Sequence, residues 1–146
     1  MIWSPLGGGM LSGKYRKKDV KGRLTQGGGQ IRILSETREE QIIGALETVA
    51  GAIGATPAQV AIAWVCNREP AGASFFPILG ARTPAQLDEN LGALAIELSA
   101  EHMALLDAAS AFELGFPHDL IAQPAMKDLH TGGHWDSLVV PPVPRP

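Results

Sequence analysis

The sequence predicts an α/β fold made of strand–helix units around a parallel sheet, and three features point there. Residues 1–6 (MIWSPL) and 75–79 (FFPIL) are apolar runs without the polar–apolar alternation of a half-exposed strand, as expected of parallel strands covered on both faces. Each run ends at glycine, Gly7 and Gly80. Each is succeeded by segments of helical periodicity, and strands alternating with helices imply βα connections.

The elements come in this order. Met1–Leu6 reads as the end of a buried strand that meets Pro5 and opens into a flexible turn at Gly7-Gly8-Gly9. Residues 13–30 are basic, then glycine-rich, and read as a long surface loop. Thr37 caps the first helix, with Glu40 closing a capping box. Ile42, Ile43, Leu46, Val49, Ala50 and Ile53 then recur at helical spacing, and Gly54 stops the helix. Thr56-Pro57-Ala58-Gln59 starts a second helix with a cap, a proline in its first turn and a glutamine three residues on. Val60, Ile62, Ala63, Trp64 and Val65 make that helix apolar all round, which predicts burial. After FFPIL, Thr83-Pro84-Ala85-Gln86 repeats the start signal, with Leu87, Leu91 and Leu94 on one face. Ser99 caps a fourth helix to about Ala109, with Met103 and Leu106 inward. Beyond Phe112 the periodicity fades and prolines accumulate at 117, 124, 141, 142, 144 and 146. Residues 1–120 are thus expected to form the folded part and 121–146 an irregular Pro-rich tail.

Composition narrows the function classes. The chain has 146 residues, which suits one domain of roughly 100–200 residues and falls short of the ~250 of a complete eight-stranded α/β barrel. A net charge of −3 argues against a nucleic-acid partner. The basic stretch is Lys14, Arg16, Lys17, Lys18, Lys21 and Arg23. Cys66 stands alone, so no disulfide forms within the chain and a reducing compartment is expected. No apolar run reaches the ~18–20 residues of a bilayer span, and the N-terminus lacks a signal pattern. The expectation is a cytoplasmic chain with neither nucleic-acid nor membrane partners.

Two places can carry chemistry. Gly8-Gly9-Met10-Leu11-Ser12-Gly13-Lys14 matches the first seven positions of a phosphate-cradling loop, but Tyr15 stands where Ser or Thr should reach Mg²⁺. The Arg16-Lys17-Lys18 segment beyond it does not read as a helix, which weakens a nucleotide-triphosphatase reading. The glycine-rich turn can still offer backbone N–H groups to another phosphate. The second place is Gly80-Ala81-Arg82-Thr83, where a helix start and a guanidinium suit a phosphate monoester. Gln86 and Asn90 lie four apart on one face with Glu89 beside them. Spacing alone allows either an anion site or a capped surface helix. Elsewhere, His130 and His134 with Asp128 and Asp136 have metal-like spacing, but Thr131-Gly132-Gly133 breaks the helix between them, so no metal site is expected. Cys66 reads as a small core residue.

The stretches IWSPLGGGMLSGKY (2–15), TPAQVAIAWV (56–65), PILGARTPAQLDENLGAL (77–94) and FELGFPHDL (112–120) resemble the C-terminal part of the aldo-keto reductase superfamily. The branch that includes bacterial general reductases and potassium-channel β subunits is the most similar. The resemblance implies the C-terminal part of a (β/α)₈ barrel: about the last two βα units, a C-terminal helix and a tail. It implies NADP(H) as cofactor and carbonyl or alcohol hydride transfer as chemistry. By position, Trp3 resembles the aromatic that stacks on nicotinamide. Ser4, Pro5, Leu6 and Gly8 resemble the pyrophosphate turn. Lys14 and Arg23 resemble basic residues folded over the cofactor phosphates. Gly80 and Arg82 resemble the 2′-phosphate grip, and Gln86, Glu89 and Asn90 the adenosine contacts.

The chain departs from the family in one respect. The family's Asp, Tyr, Lys and His tetrad comes from the first half of the barrel, and no residue here matches it; Tyr15, the only tyrosine, falls on a non-catalytic position. The expectation is a cofactor-binding half without a proton donor, inactive alone, and able to take a small carbonyl substrate only if the rest of the barrel is supplied. The alternative is a non-catalytic NADP-binding or regulatory module. Unpaired strand edges would favour self-association.

Overall fold

The computed structural model describes residues 1–16, 35–68 and 74–139. Its contacts divide the chain into two units, Met1–Ser110 and Ala111–Pro146. The expected boundary at 120 rests on sequence alone.

The first unit is mainly helical. Its sheet consists of β1 (Ile2–Trp3) and β2 (Pro77–Ile78), which pair in parallel with Ile2 opposite Pro77 and Trp3 opposite Ile78. The expected parallel pairing is present; among the described residues the sheet holds these two strands and a closed barrel is not formed. Both strands are shorter than the apolar runs suggest. After Trp3, Ser4 takes a left-handed backbone (φ 53) and Pro5 has no N–H to give a ladder. Pro77, the first residue of β2, likewise has no N–H to give. The expectation that both faces are covered is also corrected. Trp3, Phe76 and Ile78 are exposed, so the faces of the pair are not fully covered among the described residues.

The core lies among the helices. α1 spans Glu36–Ile53, α2 Pro57–Cys66, α3 Pro84–Gly92 and α4 Ala100–Ser110. Leu46, Val49 and Ala50 of α1 meet Val60 and Ala61 of α2 and Leu106 of α4. α2 is buried along most of its length, as its composition predicts, with Ile62 and Val60 fully enclosed. Trp64 Nε1 donates to Asp107 Oδ1 at 2.7 Å, and Arg68 both pairs with Asp107 and lies over the Trp64 ring, tying α2 to α4. The Asn67 amide donates to Ala63 O and Ile96 O, while its Oδ1 accepts from Leu98 N, fastening the chain between α3 and α4.

The helix starts show which capping signals operate. Ser35, not Thr37, caps α1, and its side chain accepts from Arg38 N. Ser35 has the extended backbone a cap needs, whereas Thr37 already lies inside the first turn. Gly54 ends α1 with φ 69. Thr56 forms the full reciprocal box with Gln59. Thr83 accepts from Gln86 N, but the Gln86 side chain reaches to Arg82 N instead of closing a box. Ser99 accepts from His102 N at the start of α4. Leu87, Leu91 and Leu94 are largely exposed, so the expected apolar face of α3 has no cover among the described residues.

The second unit is not wholly irregular. α5 (His118–Ala122) and α6 (Pro124–Thr131) are short helices, each begun with proline near its start, and Lys127 lies over the Trp135 ring. Proline favours a first turn as readily as it ends a helix, so its accumulation there does not preclude helix. α6 stops at Gly132, φ 58, ahead of His134. Among the described residues no three His, Cys, Asp or Glu side chains gather as metal ligands. No single helix among them is long and apolar enough to cross a membrane.

Candidate functional site

The two strands end side by side, and the segments that leave their C-terminal ends build one cleft. After β1 the chain turns through Ser4–Gly13. Ser4 is held in its left-handed conformation by two bonds: its carbonyl accepts from Gly7 N at 2.8 Å and its Oγ from Gly8 N at 3.2 Å. Non-glycine residues seldom adopt this conformation, so the two bonds fix where Trp3 and Pro5 point. Gly9 N donates to Leu6 O. The N–H groups of Gly7, Gly8 and Gly9 are therefore spent inside the turn, and the expected backbone cradle for a phosphate is corrected at these positions.

Gly9 serves a different end. Its φ is +93, and a Cβ there would lie 2.9 Å from Lys14 Nζ. The missing side chain lets the Lys14 ammonium lie back across the turn, 4.8 Å from the Tyr15 ring centroid. Tyr15 itself points its hydroxyl at Gly8 O. Lys14 starts a single 3-10 turn, Lys14–Arg16, and not an α-helix, so a nucleotide-triphosphatase loop is not formed.

After β2 the chain passes Gly80, Ala81 and Arg82 into α3. Nothing lies within 4 Å of a Cβ at Gly80. Gln86 Oε1 accepts from Arg82 N and Thr83 Oγ1 from Gln86 N, so side chains also occupy amides of this helix start. Anion binding here falls to the Arg82 guanidinium, which makes no hydrogen bond or ion pair within the described residues. Asn90 is the buried residue of α3, 6% exposed, and its side-chain amide likewise has no partner within them.

These segments enclose a cleft of about 570 Å³, within the roughly 300–1,000 Å³ of small-molecule sites. Trp3, Ser4, Pro5, Leu6, Gly8 and Lys14 line it from the β1 side. Gly80, Arg82, Gln86, Glu89 and Asn90 line it from the β2 side. Every expected site residue within the described part is thus brought to one place. Arg23 lies outside the described residues. Gly9, Ser12 and Ala81, which fall inside the two candidate loops read from sequence, line the cleft as well. Ala58, Ile78 and Leu79 also line it and are not singled out as site residues by sequence.

The cleft has a polar and an apolar character suited to a nucleotide. Trp3 is 81% exposed at its mouth and offers a flat apolar ring. Two cations, Lys14 and Arg82, face it. The Asn90 amide, without a hydrogen-bond partner among the described residues, has donors and an acceptor left for a ligand. No tyrosine, histidine, cysteine or aspartate lines it among the described residues. The donor set therefore fits a phosphorylated, aromatic cofactor.

Comparison with known proteins agrees with this architecture. The sequence profile of the aldo/keto reductase family matches residues 1–111. An uncharacterized oxidoreductase of Mycobacterium tuberculosis is 37% identical over 113 residues, covering 77% of this chain and 34% of that protein. An aldo-keto reductase of Aspergillus calidoustus is 30% identical over 115 residues, covering 75% of this chain and 28% of its own length. A putative voltage-gated potassium channel subunit beta of Schizosaccharomyces pombe is 33% identical over 98 residues, covering 64% and 28%. The chain spans about a third or less of the length of these relatives. With the family profile covering most of its length, and the cleft lying where the two strands end, this chain belongs to the aldo/keto reductase family.

Proposed function

We propose that the first unit forms the phosphate-and-adenosine wall of an NADP(H) site, corresponding to the last two strand–helix units of an aldo/keto reductase barrel. One observation carries the reading: Lys14, Arg82 and the partnerless Asn90 amide, far apart in sequence, line a single cleft beside Trp3. Bound there, the cofactor supplies a hydride to or from its nicotinamide ring. The chain's own residues bind and orient it. Trp3 offers its face to a planar ring. Lys14 places a point charge near the turn, suited to the pyrophosphate, with Arg23 its expected companion. The Arg82 fork matches a terminal phosphate monoester, which favours NADP over NAD. Gln86, Glu89 and Asn90 provide acceptors and donors for the adenosine.

In this reading the 146 residues carry no general acid for carbonyl reduction, and chemistry requires an Asp, Tyr, Lys and His set from elsewhere in the fold. Carbonyl substrates belong to the completed barrel and not to this wall. A purely binding or regulatory role is the second reading, supported by the absence of Tyr, His, Cys and Asp from the described lining. Titrating the chain into NADPH and monitoring nicotinamide fluorescence tests the cofactor. Saturable enhancement is expected, and its absence removes the reading. An NADPH-dependent turnover of a test aldehyde by the same preparation would show that the chain itself carries a proton donor.

A further inference from the structure

We propose that Gln59, which lies outside the cleft lining, is a positioning residue that sets α3 against α2 and so places the β2 side of the cleft. The inference rests on the cofactor reading for its functional meaning, and on hydrogen bonds alone for its structural content.

Gln59 works with both ends of its amide. Its Oε1 accepts from Thr56 N at 3.0 Å and completes the capping box of α2. Its Nε2 donates to Glu89 O at 3.0 Å, across to the last turn of α3. The final carbonyls of a helix have no intrahelical donor. Ala93 N turns to Asn90 O and Leu91 O in a tightened last turn, and Glu89 O accepts from Gln59. The next residue, Asn90, lines the cleft. A one-residue link therefore runs from the cap of a fully packed helix to the residues that touch the ligand in the proposed site. The approach is close: a Cβ at Gly92 would lie 2.7 Å from Gln59 Nε2. Gly92 has an ordinary helical φ of −56, so this contact, and not backbone conformation, is what asks for glycine.

Glutamine is the residue that can do both tasks. Glutamate would keep the acceptor for Thr56 N, and is itself a standard capping-box partner, but it has no donor for Glu89 O. Alanine at 92 would raise helix propensity while driving the Gln59 amide aside.

Hydrogen–deuterium exchange of the full chain separates these effects. In Gln59→Glu, amides in the last turn of α3 should exchange about tenfold faster, the scale of one net hydrogen bond, while the capping bond to Thr56 N is kept. Gly92→Ala should also speed α3 exchange and weaken 2′,5′-ADP binding by about the same factor. In a Gln59→Ala background, Gly92→Ala should instead slow α3 exchange, because the conflict is gone and only helix propensity remains. Unchanged α3 exchange in Gln59→Glu overturns the proposal, and so does an effect of Gly92→Ala with the same sign in both backgrounds. Failure of the wild-type chain to bind 2′,5′-ADP overturns the cofactor reading alone, and the exchange data still decide the role of Gln59.

Discussion

Arg82 is the side chain on which ligand choice turns. It is exposed, holds no partner among the described residues and lines the cleft. Arg82→Ala should therefore leave the melting temperature unchanged and cost NADPH affinity about 1.5–3 kcal/mol, the value of a charged hydrogen bond. NADH affinity should hardly move, and fluorescence titration with both cofactors measures the difference. Gly9 acts through geometry. Gly9→Ala places a Cβ against the Lys14 ammonium at a left-handed φ, and should destabilise the turn by about 1–2 kcal/mol in thermal melts. Burial pushes the Cys66 thiol up from its ordinary value of 9.0. The folded chain thus holds that proton more tightly than the unfolded chain. Stability linked to it is present below the unfolded value and is lost as pH rises through the folded one. At pH 8, alkylation of Cys66 should be slower in the native chain than in urea, by mass spectrometry.

At the scale of elements, caps and core separate stability from binding. Thr56 and Thr83 cap α2 and α3 with the same side-chain bond, so each Thr→Ala change should cost about 1 kcal/mol locally. Thr56→Ala acts on a buried helix and should lower the melting temperature. Thr83→Ala acts beside Arg82 and Gln86 and should chiefly weaken ligand binding. Ile62 is fully enclosed in α2, and Ile62→Ala should cost about 2–5 kcal/mol by denaturant titration. The helix starts at Thr56, Thr83 and Ser99 are legible in the sequence because a cap ahead of a helix-compatible turn is a local signal. Sequence places the cap of α1 two residues late, because Ser35 and Thr37 both carry a capping hydroxyl and only backbone conformation distinguishes them. The strands come out shorter than the apolar runs, since such a run signals burial in a sheet, whereas the ladder also needs N–H donors that Pro5 and Pro77 lack. Spacing presents Gln86 both as part of a helix start and as a site residue, and half of its amide is committed to Arg82 N. The Gln59–Glu89 bond joins residues thirty apart and leaves no trace in local pattern.

At the scale of the molecule, the first unit has a well-packed helical core and an open sheet. Trp3, Phe76 and Ile78 are exposed beside two strands with no further partners among the described residues, and Leu87, Leu91 and Leu94 add uncovered apolar surface on α3. Such edges pair readily with other chains. Sedimentation should show association that grows with concentration, and a charged residue at Phe76 should reduce it. The convergence of residues 3–14 and 80–90 is legible from sequence because the resemblance places both at adjacent strand ends. The role of the turn amides is not, since that depends on the φ of Ser4 and its bonds to Gly7 and Gly8. The most direct test is a map of backbone amide shifts during titration with NADP⁺. Perturbations should rise together in residues 3–14 and 80–90 with one saturation curve. Shifts confined to one of these segments, or centred elsewhere, would contradict a shared cofactor cleft.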